Sequence, residues 1–146
     1  MFDLKLVRGA GKVLEPASQT SIDAARAALG TLPRDLESLW KQCDGMLLNS
    51  GVKIYETSEI IERNQAYHVE ENAKGYVLIG DDSGGRALLM SRTEGAATFI
   101  CDMGFLDLDY FHPVADDFES WISAGARLEG DDATVFDEAT DYSPIK

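Results

Sequence analysis

Three β-rich segments lie within 27 residues of one another in this chain: Tyr76-Val77-Leu78-Ile79, Arg86 to Ser91, and Ala96 to Asp102. The links between them are Gly80 to Gly85 and Arg92-Thr93-Glu94-Gly95. Parallel neighbours need a crossover of a dozen or more residues, usually a helix, so links this short favour antiparallel pairing. Gly80-Asp81-Asp82-Ser83-Gly84-Gly85 is also dense turn chemistry, with residues that favour tight turns and bulges. The middle of the chain therefore reads as an antiparallel meander, and the fold has to be built around it.

Helical signals flank the meander. Thr20 or Ser21 can cap a first helix with Ile22, Ala25 and Leu29 on one side and Gly30 at its end. Leu32-Pro33 opens a second, in which Leu32, Leu36, Leu39, Trp40 and Cys43 form an apolar face, and Asp44-Gly45 closes it. Val52 to Tyr55 is a short strand candidate. Ser58 can cap a helix carrying Ile60, Ile61, Asn64, Tyr67 and His68, which ends at Gly75 at the latest. Tyr110 to Val114 leads into a last helix begun by Asp116 and Asp117, with Phe118, Trp121 and Ile122 facing inward. Residues 8–19 hold two glycines, a proline and little apolar periodicity, and read as a loop. In residues 129–146, Val135, Phe136 and Tyr142 suggest a tail lying partly on the body. Helices, then strands, then a helix give an α+β fold in preference to a doubly wound sheet.

Charge narrows the function classes. The chain carries 13 basic and 26 acidic side chains among its 146 residues, a formal charge of −13. Sequence-independent nucleic-acid binding draws its affinity from Lys and Arg displacing counterions, so it is disfavoured, as is an anionic membrane surface. The acidity is uneven: residues 1–101 hold 14 acidic and 11 basic side chains, whereas residues 102–146 hold 12 and 2. Such a surface either keeps the protein soluble or attracts a basic protein. Apolar runs are far shorter than the roughly 20 residues that span a bilayer, and the N-terminus lacks a signal-peptide pattern, so a cytoplasmic protein is expected.

The motifs for chemistry are weak. Asp81 and Asp82 stand where a phosphate would have to approach, and the ligand ladder of a calcium loop is missing. His68 and His112 belong to no ligand pattern, Cys43 and Cys101 read as small buried hydrophobes, and no nucleophile elbow is present. Trp40, Phe118 and Trp121 fall on apolar helix faces and read as core. Met103 to Tyr110 differs in alternating apolar and acidic residues, presenting Phe105 and Leu108 beside carboxylates. Interface and plain structure are equally good readings of it.

Taken in order, Leu32-Pro33 with its apolar helix ending Asp44-Gly45, Ile54-Tyr55 with Ser58-Glu59-Ile60, Ile79 to Gly85, and Val114-Ala115-Asp116-Asp117-Phe118 with Trp121 resemble the SUKH superfamily. That superfamily takes in bacterial immunity proteins against polymorphic toxins and fungal regulators of cell-wall synthesis. The likeness covers about residues 20–125. Met46 follows Gly45 where members often carry a second small residue. The resemblance implies an α+β domain with a central, mainly antiparallel sheet flanked by helices. It also implies a non-enzymatic role in binding another protein, in the bacterial branch typically a toxin domain, often a nuclease.

The expectation is one domain over residues 1–146 with an acidic C-terminal segment at 129–146. It is expected to occlude a cognate toxin through Asp107, Asp109, Asp116, Asp117 and Glu119, with no catalytic residue, cofactor or metal. Asp116 and Asp117 also suit a purely structural role as helix starts. The oligomeric state is not legible. The rival readings are an intracellular scaffold or regulatory module, and a hydrolase using carboxylates or a metal at the Asp81–Asp82 loop.

Overall fold

The computed structural model describes residues 1–128, so expectations for the acidic segment at 129–146 lie outside the described residues. The described chain forms six α-helices and a seven-stranded antiparallel sheet whose spatial order is its sequence order. The elements are α1 (Lys5–Gly9), β1 (Gly11–Val13), α2 (Gln19–Leu29), α3 (Arg34–Trp40), β2 (Met46–Leu48), β3 (Lys53–Ile54), α4 (Thr57–Ala66), α5 (Val69–Asn72), β4 (Tyr76–Asp81), β5 (Arg86–Ser91), β6 (Thr98–Asp102), β7 (His112–Ala115) and α6 (Phe118–Ser123). This is the expected α+β arrangement, and the three strands of the meander are β4, β5 and β6.

The central strands are buried on both faces: Val77 to Gly80 and Ala87 to Met90 are all inaccessible. Trp40, Phe118, Ile22, Leu36 and Ile60 from the helices and Tyr55 just after β3 complete the core. Helix α2 packs on α4, and α1 on α6. Trp40 and Trp121, expected in the core, satisfy their indole N–H groups on backbone oxygens, Trp40 on Tyr55 (3.0 Å) and Trp121 on Arg127 (2.9 Å). That is how a large ring with one polar atom is buried without penalty.

Residues 8–19 are a loop only over residues 14–18. Residues 5–9 form α1 with Val7 inward, and residues 11–13 form the edge strand β1 on β2. The pairing continues beyond the strand: Leu14 N–H donates to the Gly45 carbonyl, Asp44 N–H to Glu15, and Ala17 N–H to Trp40. These partners are 23 to 31 residues away in sequence, so no local periodicity reveals them. The same contacts explain why α3 stops at Trp40 instead of running on to Asp44. Residues 41–43 still bond back to Glu37 and Leu39, Asp44 and Gly45 then pair with Glu15 and Leu14, and Met46 to Leu48 become a strand that the sequence reading lacks.

Helix starts move by a residue or more. Ser18 caps α2 by accepting from Ser21 N–H (3.1 Å), and Pro33 sits at the cap of α3. Ser58 does not cap α4. The Asp44 carboxylate does so from a distance, accepting the Thr57 N–H (2.8 Å) and its hydroxyl (3.2 Å). Asp44-Gly45 is therefore a joint between two elements. Gly45 has φ +92°, and a Cβ there would stand 2.7 Å from the Ile54 carbonyl oxygen. Helix α4 ends at Ala66; His68, at φ 52°, turns the chain into α5 and is exposed.

Asn64 ties α4 to the sheet. Strand β3 covers β4 only at Asp81 and Gly80, with Tyr55 N–H adding a bond to the Ile79 carbonyl. Beyond that point the Asn64 side chain replaces the missing strand. Its Nδ2 donates to the Leu78 carbonyl (2.8 Å) and to Ile60 (2.9 Å), and its Oδ1 accepts the Leu78 N–H (2.9 Å).

Candidate protein-interaction surface

The connection between β6 and β7 is long and pinned by local bonds. Asp102 accepts the Gly104 N–H (2.8 Å), Phe105 N–H donates to the Asp102 carbonyl, and the Cys101 thiol donates to the Phe105 carbonyl. Asp107 accepts the Asp109 N–H (2.9 Å) and so caps a 3-10 turn over Leu108–Tyr110. The turn is anchored at its end by Phe111, whose ring meets Tyr76 edge-on at 5.1 Å and lies 6.0 Å from Phe99.

With the backbone held this way, three large apolar side chains point outward: Phe105 is 57% exposed, Tyr110 55% and Leu108 45%. The Phe105 and Tyr110 rings are 5.2 Å apart. Half of the exposed large hydrophobics among the described residues therefore sit on one connection, the kind of clustering that marks interaction sites. Residues 102–119 also carry six carboxylates and no Lys or Arg.

The five predicted contact residues fall on two stretches of the chain, one on each side of β7. Asp107 and Asp109 lie in the connection, whereas Asp116, Asp117 and Glu119 lie past the far end of β7. From Phe111 to Asp116 the strand rise carries the chain about 16 Å. At the far end, Asp117 caps α6, accepting the Ser120 N–H (2.9 Å) and hydroxyl (2.7 Å); these hydrogen bonds hold its carboxyl below the ordinary range. Glu119 pairs with the Met1 amine at 2.9 Å. Asp35 stands near both, its carboxyl raised first by burial and then by the Asp117 and Glu119 charges, against the lowering pull of Arg34 and the N-terminal amine. Asp109 and Asp116 are exposed, and neither side chain has a cationic partner among the described residues.

The Gly80–Gly85 string is the end of β4, Gly80-Asp81, and the turn that follows it, with a register shift at Leu78/Gly80. Its carboxylates are engaged by protein donors. Asp82 accepts from Gly84 N–H (2.8 Å), Arg86 N–H (2.9 Å) and Arg86 Nε (2.7 Å). Asp81 accepts from Ser83 N–H and from the Tyr55 hydroxyl. Burial, followed by the Asp81 bond and charge, pushes the Tyr55 phenol far above its ordinary range. Beside it, Lys53 meets Glu59 at 2.7 Å and the Arg63 guanidinium lies 5.7 Å from the Tyr55 ring. This ion cluster joins β3 to α4 and has no sequence signature beyond Glu59 and Arg63 standing four apart on one helix face. Tyr110 is a second residue the sequence reading did not single out. Its signal was present, as it follows Leu108 and Asp109 within the alternating stretch. No group of three or more His, Cys, Asp or Glu side chains among the described residues is arranged to hold a metal ion.

A meander sheet backed by helices, with apolar side chains displayed on a braced acidic connection, is the architecture of a small binding module. The chain belongs to the SMI1 / KNR4 family (SUKH-1), whose sequence profile matches residues 16–124. Membership supports a protein-interaction or immunity-type role in a family that is generally non-catalytic. Among curated proteins, none matches the chain. No helix among the described residues is long and apolar enough to cross a membrane.

Proposed function

We propose that this protein is a cytoplasmic immunity protein. It neutralises a cognate polymorphic toxin domain by covering it with an acidic surface and performs no reaction of its own. The observation that carries the reading is the β6–β7 connection, where Phe105, Leu108 and Tyr110 are exposed in a stretch of six carboxylates without a Lys or Arg. A nuclease toxin fits this surface best, because a site built to hold phosphates is positively charged. An acidic protein competes for that field and associates fast. The apolar side chains then supply the desolvated contact that slows dissociation.

The test is recovery of the tagged full chain from its own cells at low and high salt, with co-purifying proteins identified by mass spectrometry. One stoichiometric basic partner, lethal alone and harmless when co-expressed, is the expected result. Asp109→Lys and Asp116→Lys then slow association and flatten its salt dependence, each reporting on one end of β7. Unchanged rates and salt slopes in both variants would refute the acidic-surface reading. A non-toxic partner would replace it with a scaffold role.

A further inference from the structure

We infer that the β6–β7 connection is a docking site for a protein segment rich in arginine, and that it selects guanidinium over ammonium. The inference rests on the basic-partner reading above and adds the chemistry of the contact. The Phe105 and Tyr110 rings stand 5.2 Å apart at an interplanar angle of 53°, and each is more than half exposed, so ring faces remain open to a planar cation. Asp107 and Asp109 lie between the two aromatic residues in sequence, and among the described residues neither carboxylate is paired with a Lys or Arg of the chain itself. Leu108, 45% exposed, lies between the two carboxylates in sequence.

A lysine ammonium satisfies such carboxylates as a strongly hydrated point charge and gains little from the rings. A guanidinium can stack on an aromatic face while its N–H fork meets a carboxylate, and it loses less hydration in doing so. Charge alone would bind both cations equally. The rings beside the carboxylates are what separate them. The local bonds that brace the connection mean the site is formed before a partner arrives, so little ordering entropy opposes binding.

The probes are fluorescently labelled nona-arginine and nona-lysine, titrated with the full chain by fluorescence polarisation at two salt concentrations. Wild type is expected to bind nona-arginine roughly three- to tenfold more tightly. Phe105→Ala with Tyr110→Ala should bring the two peptides to equal affinity while nona-lysine binding persists. Both side chains are exposed, and circular dichroism confirms the variant's fold. Asp107→Asn with Asp109→Asn, which keeps an acceptor for the turn, should weaken both peptides. Equal binding by wild type, or a preference that survives loss of the rings, overturns the inference and leaves the acidic surface standing. No effect of the Asn pair overturns the inference alone, and binding of neither peptide overturns both.

Discussion

Replacing Asn64 tests whether one side chain stands in for a length of strand. The Leu78 N–H and carbonyl lie on the side of β4 that β3 leaves uncovered, and both bond to the Asn64 amide inside the core. Asn64→Ala strands two buried backbone groups at about 1–3 kcal/mol each. The better helix propensity of Ala returns roughly 0.6 kcal/mol. Ile60 keeps its helical partner, so the net loss is about 3 kcal/mol. Asn64→Asp gives a sharper result. As a carboxylate it faces the Leu78 carbonyl with an acceptor and buries a charge, while as a neutral acid it can donate there and accept from the N–H. Its native-state pKa is therefore raised above the unfolded value near 3.9. A raised acid pKa gives stability that is present in full below the unfolded pKa and lost as pH rises through the folded one. Urea denaturation followed by tryptophan fluorescence should place Asn64→Asp above Asn64→Ala at pH 4 and at or below it at pH 7. Amide exchange at Leu78 should quicken in the Ala variant. A loss under about 1 kcal/mol for Ala, or Asp tracking Ala at both pH values, would refute the strand-substitute account.

Asp44→Ala removes the distant cap of α4 and should cost about 1–2 kcal/mol by urea denaturation, whereas Asp44→Asn, which retains an acceptor, should cost less. Gly80→Ala drives a Cβ into the Lys53 carbonyl oxygen, a backbone atom that no rotamer change can move. The expected cost is about 3 kcal/mol, visible as a lowered melting temperature and loosened pairing of β3 on β4. At Asp82 burial opposes ionisation, but the Arg86 and Gly84 N–H donors and the Arg86 side chain outweigh it and hold the carboxyl below its ordinary value. Its contribution is present above the unfolded pKa and lost as pH falls through the folded one, so Asp82→Asn should show a shallower acid limb than wild type in a pH series of melting temperatures.

The meander was legible because its determinants are local: β-rich runs, turn residues and links too short for a crossover act within the 27 residues from Tyr76 to Asp102. The core side chains Trp40, Leu36, Ile60 and Phe118 were legible for the same reason, since helical spacing places them on one face. What stayed hidden depends on distant partners. Strands β1 and β2 exist because each supplies the other's ladder, and neither Gly11–Val13 nor Met46–Leu48 is long enough to announce itself. The cap of α4 comes from Asp44, thirteen residues upstream, so Ser58 was the natural but wrong choice. For the candidate site, the alternating pattern of residues 103–110 located the exposed connection, and a count of carboxylates located the acidity. Sequence proximity does not show that β7 lies between Asp109 and Asp116.

The acidity of the chain serves two separate purposes, and the distinction governs any experiment on its charge. Asp44, Asp82, Asp107 and Asp117 each accept backbone N–H groups and terminate or turn an element, so replacing them with Lys perturbs the fold along with the field. Asp109 and Asp116 make no such bond through their side chains among the described residues, and they stand at opposite ends of β7. Charge reversal at these two positions changes the electrostatic potential with the least change in structure. A binding loss there is interpretable as electrostatics. A loss at Asp107 or Asp117 is interpretable only when the Asn variant, which keeps the cap, separates charge from turn geometry.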